Sequence, residues 1–341
     1  MDAETAGTIV RRSKTANPEP VAAGRRPNAQ CLLPVVQVLA LPLYWLIGRH
    51  LVGLGPAAGI GFTAIAPFAI HTAVLGIGFV VSYLNQHELR GARHSRHRDW
   101  LIAFAREAAV SIRQFYWLMP FRENFPVPAA TPPLRRPPIL LVHGYGCNRG
   151  LWLPAARWFS RHGYPVSALN LSPLHGSIDD YAQSISEEIA RIKAHTGADR
   201  IALVGHSMGG LAVRAYLRCC AGKRVDPAVA AVITLGTPHR GTHIARLGRG
   251  ENARQMQFAA PWVEQLGGHE ATPAAFAADP AMRRRITTIC SLQDNIVSRQ
   301  LDQRLPGVRA IVVRRQGHMS LATSPRVFEV IDRLLRRASG V

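Results

Sequence analysis

Lysine is almost missing from this 341-residue chain: Lys14, Lys193 and Lys223 are the only ones among 41 cationic residues. Acidic residues are scarce as well, 21 in all, which leaves a formal net charge of +20. The five cysteines (Cys31, Cys147, Cys219, Cys220 and Cys290) are too few and too scattered for a disulfide scaffold. They form no C-x-x-C pair for zinc, and they are compatible with a reducing compartment. Recognised nucleic-acid modules are lacking too. The arginines are spread along the chain, so the basic excess reads as affinity for anionic surfaces such as phospholipid headgroups, not as a DNA or RNA site. Disorder is excluded, because 48% of the residues are hydrophobic and can bury a large core.

Charge is absent from two long stretches near the N-terminus. None occurs over the 18 residues Cys31 to Gly48 or over the 37 residues Leu51 to His87, with Arg49 and His50 between them. A helix rises about 1.5 Å per residue and a bilayer core is about 30 Å thick, so roughly 20 apolar residues cross once. Residues 31–87 therefore read as a membrane hairpin with spans near 31–48 and 60–84. Pro34, Pro42 and Pro67 are tolerable inside such helices. A cleaved signal peptide fits less well, since a basic stretch of 30 residues precedes the first run and a longer apolar run follows it. Arg25 and Arg26 before the first span, and Arg90, Arg93, Arg96 and Arg98 after the second, put both ends on the cytoplasmic side of an inner membrane. Residues 1–30 read as a disordered basic leader.

Residues 88–136 read as a connector. Leu101, Ile102, Phe104, Ala105, Ala108, Ala109, Ile112, Phe115 and Tyr116 recur at helical spacing, with Arg106, Glu107, Arg113 and Gln114 on the other side. This amphipathic helix either docks on the rest of the protein or lies among headgroups; periodicity does not separate the two. Phe125 to Pro138 is proline-rich and reads as an extended linker.

From 137 to 341 the pattern alternates. Ile139–Val142, Val166–Leu171, Ile201–Val204, Val232–Leu235, Ile286–Leu292 and Ala310–Val313 are short, apolar and rich in β-branched residues, with helical stretches between most of them. The expectation is an α/β fold with a mostly parallel sheet and its chemistry at the carboxyl ends of the strands. At the end of the third run stands Gly205-His206-Ser207-Met208-Gly209, a G-x-S-x-G segment between strand and helix. Gly205 and Gly209 permit the tight turn, and Ser207 is the candidate nucleophile.

A serine hydroxyl needs a base and an orienting acid, which follow it in chain order in this kind of site. Asp294 comes just after the fifth strand-like run and His318 comes 24 residues later, after the sixth. His143, His206 and His239 precede the acid and compete poorly for the base, and Asp302 lacks a preceding strand. The developing oxyanion calls for two backbone donors. Met208 N–H is one, and Tyr145 N–H, in the loop His143-Gly144-Tyr145-Gly146, is the other.

These residues, together with Leu235-Gly236-Thr237-Pro238-His239-Arg240-Gly241-Thr242, resemble the α/β-hydrolase lipases and esterases, in particular bacterial triacylglycerol lipases. The resemblance covers about residues 137–338. It implies carboxylic-ester hydrolysis through an acyl-serine intermediate, no cofactor, and a lipid or hydrophobic ester as substrate. Acyl transfer, thioester hydrolysis and a non-catalytic membrane scaffold are the alternatives. Some lipases of the group carry a calcium-holding carboxylate two residues past the histidine; Ser320 stands there in this chain, so no metal is expected. An insertion near 243–285, with Met256, Phe258, Pro261, Trp262, Val263 and Leu266, is either a lid over the acyl pocket or an ordinary cap.

Overall fold

Strand-forming residues with no polar alternation favour a sheet covered on both faces, and all six runs pair into one sheet, its edge strands the more exposed. A computed structural model describes residues 32–87, 97–126, 134–220, 228–271, 280–299 and 303–338. The strands are β1 (Ile139–Val142), β2 (Val166–Leu169), β3 (Ile201–His206), β4 (Val229–Leu235), β5 (Ile286–Ser291) and β6 (Arg309–Val313). They form one parallel sheet in the order β2-β1-β3-β4-β5-β6. Because every strand runs the same way, the loops after β1, β3, β5 and β6 all leave from one edge. Residues 1–30, residues 127–133 of the proline-rich linker, Asp302 and residues 272–279 of the insertion lie outside the described residues.

Ahead of the sheet come α1 (Leu32–Leu46), α2 (Pro56–His87), α3 (His97–Arg113) and the short α4 (Met119–Phe121). The crossovers are α5 (Leu153–Arg161), α6 (Ile178–Thr196) and α7 (Met208–Cys220). Between β4 and β5 lie α8 (Glu251–Gln255), α9 (Pro261–Ala271) and α10 (Pro280–Arg285), and the chain closes with α11 (His318–Leu321) and α12 (Pro325–Ala338). Side chains alternate across each strand. Ile139 and Leu141 join Ala202, Val204 and Ile233 in a core under α5 and α12. Leu140 and Val142 join Leu203 and Val232 in a second core under α6 and α7.

The two uncharged runs form an antiparallel helix pair, tight where side chains are small: a Cβ on Gly59 would lie 3.0 Å from the Trp45 ring, and one on Gly48 would lie 2.9 Å from Phe62. Among the described residues one helix, within Pro56–Asn85, is long and apolar enough to cross a bilayer. The first run forms α1, 15 residues, extended by a π turn over Ile47–Leu51. One face of α2 docks on α3, with Phe79 edge-on to Trp100 and Phe104. The opposite face leaves Ile65, Val74, Ile77 and Val80 exposed.

The connector helix docks in an orientation that corrects the periodic reading of its faces. Glu107 and Gln114, expected on the outer side, are buried together with Asp99 and Ser111, whereas Leu101 is 69% exposed. With the buried Trp100 and Ala103, the inward stripe recurs every three or four residues, so it is one helical face, and a largely polar one. It is tolerated because Asp99, Glu107, Ser111 and the Gln114 side-chain NH₂ each meet a partner, although Gln114 Oε1 meets none among the described residues. Asp99 accepts from Arg315 Nε at 2.6 Å, Gln114 Nε2 donates to the Leu151 carbonyl at 3.2 Å, and Glu107 accepts from two backbone amides.

Candidate active site

Ser207 sits between β3 and α7 at φ 56°, a left-handed conformation in a residue that is not glycine. Such strain persists only where the surroundings enforce it. The enforcing contacts are backbone on backbone. A Cβ on Gly209 would lie 2.3 Å from the Val142 carbonyl oxygen, and one on Gly205 would lie 2.7 Å from Gly209 C and Gly210 Cα. A Cβ on Gly144 would come within 2.8 Å of Ser207 Cβ, so this glycine lets the loop after β1 close over the serine. Met208 opens α7, and its N–H therefore has no partner within the helix. The Tyr145 hydroxyl donates to the Arg249 carbonyl at 2.9 Å and accepts from Arg249 N–H at 2.8 Å, tying this loop to the insertion.

Asp294, fully buried after β5, accepts from Ile296 N–H and Val297 N–H through Oδ1 at 2.9 and 2.8 Å. His318 Nδ1 lies 2.9 Å from Asp294 Oδ2 and 3.1 Å from Oδ1. Burial disfavours a charged His318, but the charge and hydrogen bond of Asp294, with the charge of Glu107, prevail and raise its pKa above the ordinary histidine value. The backbone of the histidine loop is pinned as well: His318 N–H donates to Asn295 Oδ1 at 3.1 Å, and His206 Nε2 donates to the His318 carbonyl at 2.9 Å. The other buried histidines stay neutral. Burial, with the proximity of His318, holds His206 well below the ordinary value, and burial takes His143 down to about 4. His143 accepts from Leu171 N–H through Nε2 and donates through Nδ1 to the Gly144 carbonyl, shaping the loop.

Ser207, His318, Gly144, Tyr145 and His206 all line one cavity of about 400 Å³. The rest of its wall is largely apolar and includes Leu75 of α2, Phe115 after α3, Ile296 and Val297 after β5, and Ile244, Leu247 and Met256 of the insertion; Glu107 and Ser111 of α3 line it too. The insertion thus divides by position. Residues 244–256 face the cavity, while Trp262 and Leu266 of α9 pack on the core beneath α7. Cys147 also faces the cavity, but burial pushes its thiol up to about 12, so it is no thiolate nucleophile at neutral pH.

The sequence reading missed the residues that brace this site from the N-terminal helices. The Ser82 hydroxyl of α2 donates to the Asp294 carbonyl at 2.6 Å, and Glu107 of α3 accepts from Met319 N–H at 2.6 Å and Ser320 N–H at 2.9 Å. Asp99, Glu107 and Ser111, spaced by eight and four residues and so on one helical face, were the available signal.

A family model of the α/β-hydrolase fold matches residues 137–266. The mature lipase BlEst2 of Bacillus licheniformis superposes with a TM-score of 0.52 at 19% identity, over 62% of this chain and 95% of that one. The fold is that of the α/β hydrolases. Within this fold, a triacylglycerol lipase of Burkholderia plantarii is 35% identical over 129 residues, 35% of this chain and 34% of the relative. One of Pseudarthrobacter phenanthrenivorans is 35% identical over 120 residues, 32% of this chain and 35% of the relative. The chain thus matches about a third of the length of these relatives.

Proposed function

We propose that this α/β hydrolase is a membrane-anchored serine hydrolase that cleaves carboxylic esters of lipids or similarly hydrophobic substrates. Ser207 Oγ attacks the ester carbonyl carbon while His318 Nε2 takes the hydroxyl proton. The N–H groups of Met208 and Tyr145 hold the tetrahedral oxyanion, each worth roughly 3–4 kcal/mol of barrier. Collapse expels the alcohol, which receives its proton from His318, and water then repeats the sequence to release the acid. Asp294 keeps the proton on Nδ1 and stabilises the imidazolium. No cofactor enters any step.

The observation that carries this reading is the strained Ser207 sharing one cavity with a histidine held by a buried carboxylate. The apolar cavity wall suits an acyl chain, and the triacylglycerol-lipase relatives act in the same sense. Anchoring is supported by the exposed apolar faces of α1 and α2, where Val38 is 63%, Leu39 74% and Val74 64% exposed. The apolar run of α2 and the flanking arginines favour an inner-membrane location with the hydrolase on the cytoplasmic side. A fluorophosphonate probe applied to membranes should label the wild type and leave Ser207→Ala unlabelled; equal labelling of both would refute the assignment of the nucleophile.

A further inference from the structure

Resting on that serine-hydrolase reading, the geometry points to Glu107 of α3 as a positioning residue for His318: a second carboxylate, supplied by the N-terminal segment, that fixes the backbone of the histidine loop. Glu107 is fully buried, and its two oxygens accept from Met319 N–H at 2.6 Å and Ser320 N–H at 2.9 Å, the amides that directly follow His318. With His318 N–H bound to Asn295 Oδ1, three consecutive amides at the start of α11 are fixed by side chains. The fit leaves no slack, since a Cβ on Gly317 would come within 2.5 Å of Glu107 Cδ and Oε2. Glu107 thus reaches Ser320 from 213 residues away in the chain. The Glu107 charge acts on the His318 imidazole through a medium of low polarity, where it counts for more than in water.

The surroundings contain few competing charges. The ionisable groups facing His318 are Asp294 after β5, His206 at the end of β3 with ring centres 4.7 Å apart, and Glu107 itself. His143, from the loop after β1, acts on His206. Along α3, Arg106 donates to the Arg315 carbonyl, and Asp99 is engaged by Arg315. From α2 comes His71, 2.7 Å from Ser111 one turn along α3. Burial raises the pKa of Glu107, while the Met319 and Ser320 amides and His318 favour its ionised form.

The test uses the full-length protein in detergent, with a p-nitrophenyl acyl ester as substrate. Glu107→Gln keeps the size but removes the charge and leaves one backbone amide facing an NH₂ group. It should lower kcat roughly ten- to a hundredfold with little change in KM. It should also shift the acidic limb of the kcat/KM profile to lower pH, because His318 loses a neighbour that favours its protonated form. Glu107→Asp should recover part of the loss. Gly317→Ala displaces the carboxylate without removing it, so it should lower kcat while leaving the charge in place; this variant decides the matter should Glu107→Gln not fold. Wild-type kcat and an unmoved acidic limb in Glu107→Gln, or wild-type kcat in Gly317→Ala, would overturn the role of Glu107. Turnover by the wild type that persists in Ser207→Ala would instead overturn the hydrolase reading, and the role of Glu107 with it.

Discussion

Substituting Gly209 by alanine tests the architecture of the nucleophile turn with one methyl group. The added carbon would lie 2.3 Å from the Val142 carbonyl oxygen, 2.6 Å from the His143 carbonyl oxygen and 2.8 Å from Val142 C, all of them backbone. No side chain can rotate out of the way. Reaching ordinary contact near 3.4 Å requires α7 to retreat from β1 by about 1 Å. That movement separates Met208 N–H from Tyr145 N–H, the two proposed oxyanion donors, which lie on opposite sides of the contact. A misplacement of about 1 Å at a reacting centre costs on the order of 100-fold in rate, and overpacking of this kind destabilises by about 1–3 kcal/mol. Gly209→Ala should therefore lose about 100-fold in kcat/KM for p-nitrophenyl esters while remaining folded by circular dichroism, with a lowered melting temperature. Gly61→Ala in α2 is the control, because its methyl would meet nothing within 4 Å. Activity of Gly209→Ala within about threefold of wild type would refute both the tight-turn geometry and the placement of the oxyanion donors.

Other perturbations separate site from scaffold. Asp294→Asn leaves a hydrogen-bonding group beside Nδ1 but favours the wrong imidazole tautomer, and kcat should fall by on the order of 10⁴, measured by steady-state turnover. The raised pKa of His318 puts the acidic limb of kcat/KM above the ordinary histidine range: activity falls as pH drops through that value, because the base is then already protonated, and a pH–rate profile reads this directly. Asp332 works in stability alone. Burial opposes its charge, but Tyr164 and Arg336 outweigh this and lower its pKa, so its contribution is present above the ordinary carboxylate range and fades as pH falls through the lowered value. Asp332→Asn should destabilise by about 1–2 kcal/mol in urea melts at neutral pH and leave kcat unchanged.

The strands were legible because a parallel sheet buried on both faces needs short aliphatic runs, and each run stands alone between turn or helix signals. The turn at Ser207 was legible for a related reason: strand, G-x-S-x-G and helix are contiguous, so local sequence carries the geometry. Asp294 and His318 could be nominated from chain order and preceding strands, although what holds them could not. Glu107 reaches its amide partners 212 and 213 residues away, and Ser82 reaches the Asp294 carbonyl 212 residues away. No periodicity encodes contacts at that separation. The faces of α3 were misjudged because helical periodicity reports where apolar residues recur, and here the buried face mixes Trp100 and Ala103 with polar groups whose partners come mostly from another part of the chain. The spacing of Asp99, Glu107 and Ser111, read beside Arg314 and Arg315 just ahead of His318, was the nearest available clue.

In the proposed reaction all chemistry passes through the Ser207 hydroxyl. Ester turnover by wild type and Ser207→Ala, expressed to equal levels and assayed in the same membranes with p-nitrophenyl acyl esters, tests it most directly. The alanine variant should lose at least a thousandfold in kcat, since removing the nucleophile of such a triad leaves only residual binding and oxyanion stabilisation. Turnover within tenfold of wild type would contradict it.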